Sequence, residues 1–209
     1  MHIYIAFFWF EVKGRGLKAL SLRLVNLENQ HAKNSFRGLK LALSRTLTTF
    51  SLHFDLPLKD AELISFLQAT PLIKSLSIGR LAPSSRIFGI LSLENLTCLV
   101  VKIFRPADEG DETGWEGFCE NLTQFVKQSL VLETLELDFF QHPILSVDLL
   151  LEVFVGSINS GEAKIRCLRR LTVRSVAAPT IVKFERLCQA LPELERLAIQ
   201  IPNEDSVSI

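Results

Sequence analysis

Residues 130–140 read LVLETLELDFF, and the apolar side chains at Leu132, Leu135 and Leu137 are spaced by three residues and then by two. A helix face needs spacings of three and four, and a half-buried strand needs strict alternation, so neither period alone accounts for the pattern. The same spacing recurs at Leu17-Leu20-Leu22, Leu47-Phe50-Leu52, Ile73-Leu76-Ile78, Leu96-Leu99-Val101, Leu168-Leu171-Val173 and Leu194-Leu197-Ile199. Seven copies therefore start at 17, 47, 73, 96, 132, 168 and 194, at intervals of 30, 26, 23, 36, 36 and 26 residues. Periods of this size mark a chain built from one supersecondary unit used repeatedly.

Between the copies lie stretches with helix spacing: 58–71, 115–129, 144–161 and 179–192. In the last, Ile181, Phe184, Leu187, Cys188 and Leu191 form one apolar stripe. Pro71 and Pro192 stand where a helix must stop before the next strand opens. A strand followed by a helix, repeated seven times, predicts an α/β fold: a right-handed β–α solenoid with a parallel sheet. Parallel strands stack about 4.8 Å apart, whereas packed helices need roughly 8–10 Å. Such a ladder must curve, with strands on the concave side and helices on the convex side. The expectation is one domain over residues 1–209.

The LxxLxL copies resemble leucine-rich repeats over about residues 17–201, and their length and helices are similar to the ribonuclease-inhibitor-like subgroup. The family pattern places Asn or Cys three residues after the third apolar position. Those positions here hold Val25, Asp55, Leu81, Phe104, Phe140, Val176 and Pro202. The missing asparagine ladder and the irregular lengths resemble the degenerate repeats of F-box/LRR proteins. That resemblance implies the substrate receptor of a ubiquitin ligase. Residues 1–16 are too few for an F-box, so adaptor binding is expected only if an F-box lies outside this chain. The two ends, HIYIAFFWFEV and IPNEDSVSI, have no capping repeat, and the expectation is a part of a longer protein. A stand-alone inhibitor or scaffold in the ribonuclease-inhibitor manner is the alternative.

Composition narrows the function further. Hydrophobic residues make up 48% of the chain and charged residues 22%, which excludes bulk disorder. Lys+Arg and Asp+Glu are both 23, and the lack of a basic excess disfavours nucleic acid and anionic membrane as partners. The apolar run Ile3–Phe10 is far short of the roughly 20 residues a spanning helix needs, and it has neither a preceding basic residue nor a small-residue cleavage site. It reads as a strand. Fifteen Phe beside one Tyr suit apolar layers better than a polar ligand site. Cys98, Cys119, Cys167 and Cys188 form no CxxC and have no His at ligand spacing, so they read as buried free thiols in a reducing compartment, cytoplasmic or nuclear. Two sequons, at Asn95 and Asn121, matter only in a secreted chain.

Motifs for chemistry are sparse. Gly14-Arg15-Gly16-Leu17-Lys18-Ala19 has the GxGxxA form of a dinucleotide-binding turn, which needs a helix after it. Leu20, Leu22 and Leu24 instead alternate with Ser21, Arg23 and Val25, which is strand periodicity. The loop 105–115 carries Asp108, Glu109, Asp111 and Glu112 but lacks the register of a calcium loop. It reads as a solvated insertion and a candidate contact loop. His2, His31, His53 and His142 are scattered, and no nucleophile–base or metal motif is legible. Neither catalysis nor a cofactor is expected.

What remains is the concave face, formed by the residues before, between and after the last two apolar positions of each copy. The candidates for meeting a protein partner are Arg23, His53, Lys102, Glu136, Asp138, Arg170, Arg174, Arg196 and Gln200. Early copies present small polar residues, and later ones set an acidic strand beside a basic one. In register, Asp138 should lie beside Arg174, with Glu136 diagonal to Arg170 and Arg174. These charges serve either as exposed cross-strand pairs or as a polarised patch with Arg196 and part of the Arg170/Arg174 pair open to a carboxylate or phosphate.

Overall fold

The structure is a computed structural model, and it describes residues 5–13, 16–24, 43, 45–54, 60–81, 85–103, 114–139, 155, 167–174 and 181–200. Eight strands form one sheet in chain order: β1 (Ile5–Lys13), β2 (Gly16–Leu24), β3 (Thr49–Phe54), β4 (Ser75–Leu81), β5 (Cys98–Ile103), β6 (Thr134–Asp138), β7 (Arg170–Arg174) and β8 (Arg196–Gln200). All seven repeat copies end in one of the strands β2–β8, and these seven pair in parallel. The fold is therefore α/β, with an open parallel sheet. β1 departs from the pattern by pairing antiparallel to β2. Only two residues separate the strands, and a connection that short can join antiparallel neighbours alone. Residues 16–24 extend as a strand, so GRGLKA has no helix after its glycines and cannot form a phosphate cradle of the dinucleotide type.

Register explains the odd spacing of the repeat. Leu20, Phe50, Leu76, Leu99, Leu135, Leu171 and Leu197 lie side by side along one row, and Leu22, Leu52, Ile78, Val101, Leu137, Val173 and Ile199 along the next. Each row is fully buried as far as β7 and half-buried in β8. In every copy but the first, whose Leu17 already lies within β2, the first apolar position lies before the strand. Leu47, Ile73, Leu96, Leu132 and Leu168 are all buried there. Four first positions close one kind of turn, in which the N–H of Leu96, Leu132 or the half-buried Leu194 donates to the carbonyl three residues earlier at 3.1 Å; Ile73 does so at 3.3 Å. After that turn one carbonyl accepts two amides from the next copy. Thr48 O takes Lys74 and Ser75, Lys74 O takes Thr97 and Cys98, Thr97 O takes Glu133 and Thr134, Glu133 O takes Arg169 and Arg170, and Arg169 O takes Glu195 and Arg196. The three-residue step is thus a turn entering the sheet, and the two-residue step is the pleat.

Helices fill the other side of this core. They are α1 (Asp60–Gln68), α2 (Ile87–Ile90), α3 (Gly114–Gln128) and α4 (Ile181–Ala190). Leu63, Phe66 and Leu67 of α1, Phe118, Leu122, Phe125 and Val126 of α3, and Leu187 of α4 join the same cluster as the strand leucines. Aromatic contacts tie the layers: Phe50 of β3 lies 4.7 Å from Phe66, and Trp115 stacks on Phe118 at 5.5 Å while meeting Phe139 edge-on at 5.2 Å. Two helix ends are closed by buried hydroxyls. Thr70 Oγ1 donates to Phe66 O at 3.1 Å, and Ser129 Oγ donates to Phe125 O at 2.8 Å, satisfying carbonyls that a helix C-terminus leaves open.

Several expectations need correction. The interval after β4 is the shortest, and its helix is only the four residues of α2. In α4, Leu187 and, just beyond its end, Leu191 are buried, but Cys188 is exposed, so the stripe turns away from it. Only Cys119 is a buried thiol, with Cys98 and Cys167 half-exposed. Of the positions where the family would place asparagine, Leu81 is buried in the core, and the other six lie outside the described residues. So do residues 105–113 of the acidic loop 105–115, whose last two residues open α3, and all of the expected helix 144–161 but Val155, which is helical and buried. No helix among the described residues is long and apolar enough to cross a membrane.

Because Leu135 is wholly buried between equivalents on both neighbouring strands, Leu135→Ala should lower unfolding free energy by about 2–5 kcal/mol. Chemical denaturation read by circular dichroism measures this.

Candidate functional site

The parity opposite the leucine rows makes the open face of the sheet, and its side chains are mostly polar and mostly half-exposed. Three rows cross the strands. The first runs Ala19, Thr49, Ser75, Cys98, Thr134, Arg170, Arg196, and the second runs Ser21, Ser51, Ser77, Val100, Glu136, Thr172, Ala198. Ala19 is buried, which removes it from the accessible face. The third row holds most of the residues singled out from sequence. Arg23 pairs with His53 at one end, and Lys102, Asp138, Arg174 and Gln200 run consecutively at the other.

The two halves of that third row are not continuous. Pairing of β4 with β5 slips between Ile78 and Leu81, so β4 carries an extra residue where a partner for Lys102 would stand. Gly79 sits at this bulge, and its lack of a side chain is used. A Cβ there would come within 2.6 Å of His53 Nδ1, so the imidazole occupies the space above the glycine. His53 Nε2 lies 3.3 Å from Ser51 Oγ on the same strand face. The small residues of β3 and β4 thereby form a shallow polar zone between Arg23 and the charged strands. Bulges bend and re-aim a strand locally, and nothing in the spacing of Ile73-Leu76-Ile78 signals one except the glycine itself.

At the charged end, Asp138 lies beside Arg174 in register, as the copies require. Arg174 holds two carboxylates at once: Asp138 Oδ2 at 3.7 Å from Nη1 and Glu136 Oε1 at 3.5 Å from Nη2. Arg174 is 37% exposed, Glu136 29% and Asp138 16%, so the cluster is only partly screened by solvent. Arg170 takes no share in it. Arg170 and Arg196 are both exposed, stand directly beside each other, and make no ion pair among the described residues. Outside the open face, at the rim before β7 and β8, Arg169 Nη1 meets Glu195 Oε1 at 3.6 Å. The positions of Arg23 and Gln200 follow from register alone.

Sequence reading passed over a second kind of exposed residue. Leu72 and the pair Leu130-Val131 lie in the turns that enter β4 and β6, and Leu130 is 73% exposed. Leu130 and Val131 open the stretch LVLETLELDFF, and the signal was present in their place two and one residues before a buried repeat leucine.

Among the described residues no group of three or more His, Cys, Asp or Glu is placed to hold a metal ion. No protein-family model matches this chain, and comparison with curated proteins and with solved structures likewise gives no match. The geometry of the open face therefore carries the functional reading.

Ion pairs at this exposure contribute about 0.2–1 kcal/mol each. Arg174→Glu would place a third carboxylate against Glu136 and Asp138, and it should lower the thermal midpoint by about 2–4 °C. Arg170→Glu removes no pair and should leave the midpoint within about 1 °C of wild type. Differential scanning fluorimetry on both variants distinguishes them.

Proposed function

We propose that this chain is a protein-interaction module, a leucine-rich-repeat solenoid that binds a protein partner on the concave face of its parallel sheet. One observation carries the reading. The sheet is saturated with leucine on one face, while the other offers an accessible polar mosaic, small over β3 and β4 and charged over β5 to β8. A sheet needs only one face for its core. The repeated turn, the carbonyl that accepts two amides from the following copy, and the strictly sequential strand order are what repetition of one structural unit produces.

Within that reading, the chain serves as the substrate-recognition part of an F-box-type ubiquitin ligase receptor, in the cytoplasm or nucleus. The degeneracy of the repeats supports this, Leu81 filling the core where the family would place asparagine. The adaptor-binding module would then be supplied from outside these 209 residues, and the isolated chain should show no binding to the ligase's adaptor in a co-purification assay. Stable adaptor binding by the chain alone would defeat the F-box assignment while leaving the binding face untouched.

Bulk placed on the face tests the interaction role. Ser77→Trp combined with Thr172→Trp puts two indoles on the central row. Gln68→Trp puts one at the exposed end of α1, on the helical side. With equal thermal midpoints, the face variant should lose the proteins captured from native extract by wild type, and Gln68→Trp should keep them. Identical capture by all three would rule out the sheet face as the binding surface.

A further inference from the structure

The charges of the open face are not paired evenly, and the imbalance points to what the face receives. Glu136 and Asp138 are both held by Arg174. Glu195, the carboxylate adjoining Arg196 in sequence, is held by Arg169 at the rim. Among the other described residues, Glu133 precedes β6 with the parity of the leucine face, not of the open face, and Glu193 lies in the turn before β8 and outside the strand. Every carboxylate of β6 to β8 that shares the open face is thus committed to Arg174.

Arg170 and Arg196 are left on that face with no carboxylate. They are direct neighbours on parallel strands, about 4.8 Å apart at the backbone. Like charges directly opposite each other on a sheet repel and destabilise the pair. The core gains nothing from either side chain, since both are exposed. The arrangement is unfavourable for the chain by itself and becomes favourable when an anionic group sits between the two guanidinium groups, each of which can present two parallel N–H donors to an oxyanion. Beside Arg170 in the same row, Thr134 and then Cys98 and Ser75 extend a lane of small side chains with no further charge. An extended polypeptide lying along this lane meets its charge requirement at one end only.

Resting on the reading of the open face as a protein-binding surface, we propose that Arg170 and Arg196 form an anion clamp for an acidic segment of the partner polypeptide, gripping a carboxylate or a phosphate group on it. Arg174 is a positioning residue here. By neutralising Glu136 and Asp138 it keeps their charge from cancelling the clamp's field.

Fluorescence anisotropy with three labelled peptides of equal length provides the test: one alternating Glu and Gly, one alternating Ser and Gly, and the latter carrying a single phosphoserine. Wild type should bind the glutamate or the phosphoserine peptide at least about tenfold more tightly than the neutral one, with affinity falling as salt rises. The tighter of the two names the source of the anion. Arg170→Ala with Arg196→Ala should remove the preference, whereas Glu136→Gln should strengthen it about two- to threefold. A single Arg196→Glu should also abolish it while raising the thermal midpoint by about 1 °C, because the like-charge pair becomes an opposite-charge pair. Retention of acidic-peptide preference by the double alanine variant would overturn the clamp, as would equal affinity for all three peptides. If face-blocking indoles abolish partner capture but the alanine pair leaves peptide binding unchanged, the clamp fails and the binding face stands. If neither has an effect, both fail.

Discussion

Parallel register is the constraint on which the rest of the molecule depends. Each strand from β2 to β8 meets the next with its two apolar positions aligned, so leucine lies against leucine along the sheet. A slip of one residue would turn both rows toward solvent and drive Glu136, Thr172 and their neighbours into the core. The penalty for that exchange fixes the register, and the register in turn fixes which residues share a row on the open face. The pairing of Asp138 with Arg174, and the juxtaposition of Arg170 with Arg196, are by-products of burying Leu135, Leu137, Leu171 and Val173.

Turns hold each copy to that register. The buried first leucine, the three-residue turn before it and the carbonyl that accepts two amides set the point at which the chain enters the sheet. The helices can then vary without disturbing the strands. α3 has 15 residues and α2 only four, yet both supply aromatic side chains to one core, where Phe88 contacts Phe118 and Phe125. Plain hydroxyls close α1 and α3 against the turn, through Thr70 and Ser129.

Much of this was legible in the sequence because the repeat is a strand signal reinforced by repetition. Seven copies mark seven strands, and their alignment alone puts Asp138 beside Arg174. What escaped was whatever departs from the repeat. β1 runs antiparallel because of a connection length that lies outside the pattern. The bulge near Gly79 inserts a residue into β4 and separates His53 from Lys102, and a single glycine in a strand gives little warning of it. Helix spacing puts Cys188 on the apolar stripe of α4, but burial stops at the adjacent Leu187 and the thiol is exposed. At the candidate site the repeat spacing dictates which residues are neighbours but not which of them pair. A charge list cannot tell that Arg174 takes both carboxylates while Arg170 takes none, since this depends on side-chain reach across a twisted sheet.

The strictly sequential order of the strands also governs how the chain can acquire its structure. From β2 to β7 each strand finds both its neighbours, and β8 its one described neighbour, within one repeat interval along the sequence, and none of these strands must wait for a distant segment to arrive. Loop-closure entropy grows only slowly over such intervals, so each docking step carries a similar modest cost. Assembly can begin at whichever adjacent pair forms first and extend outward strand by strand, as in one-dimensional repeat arrays. The aromatic-rich centre, where Phe88, Trp115, Phe118, Phe125 and Phe139 gather, is where such growth would find its firmest start.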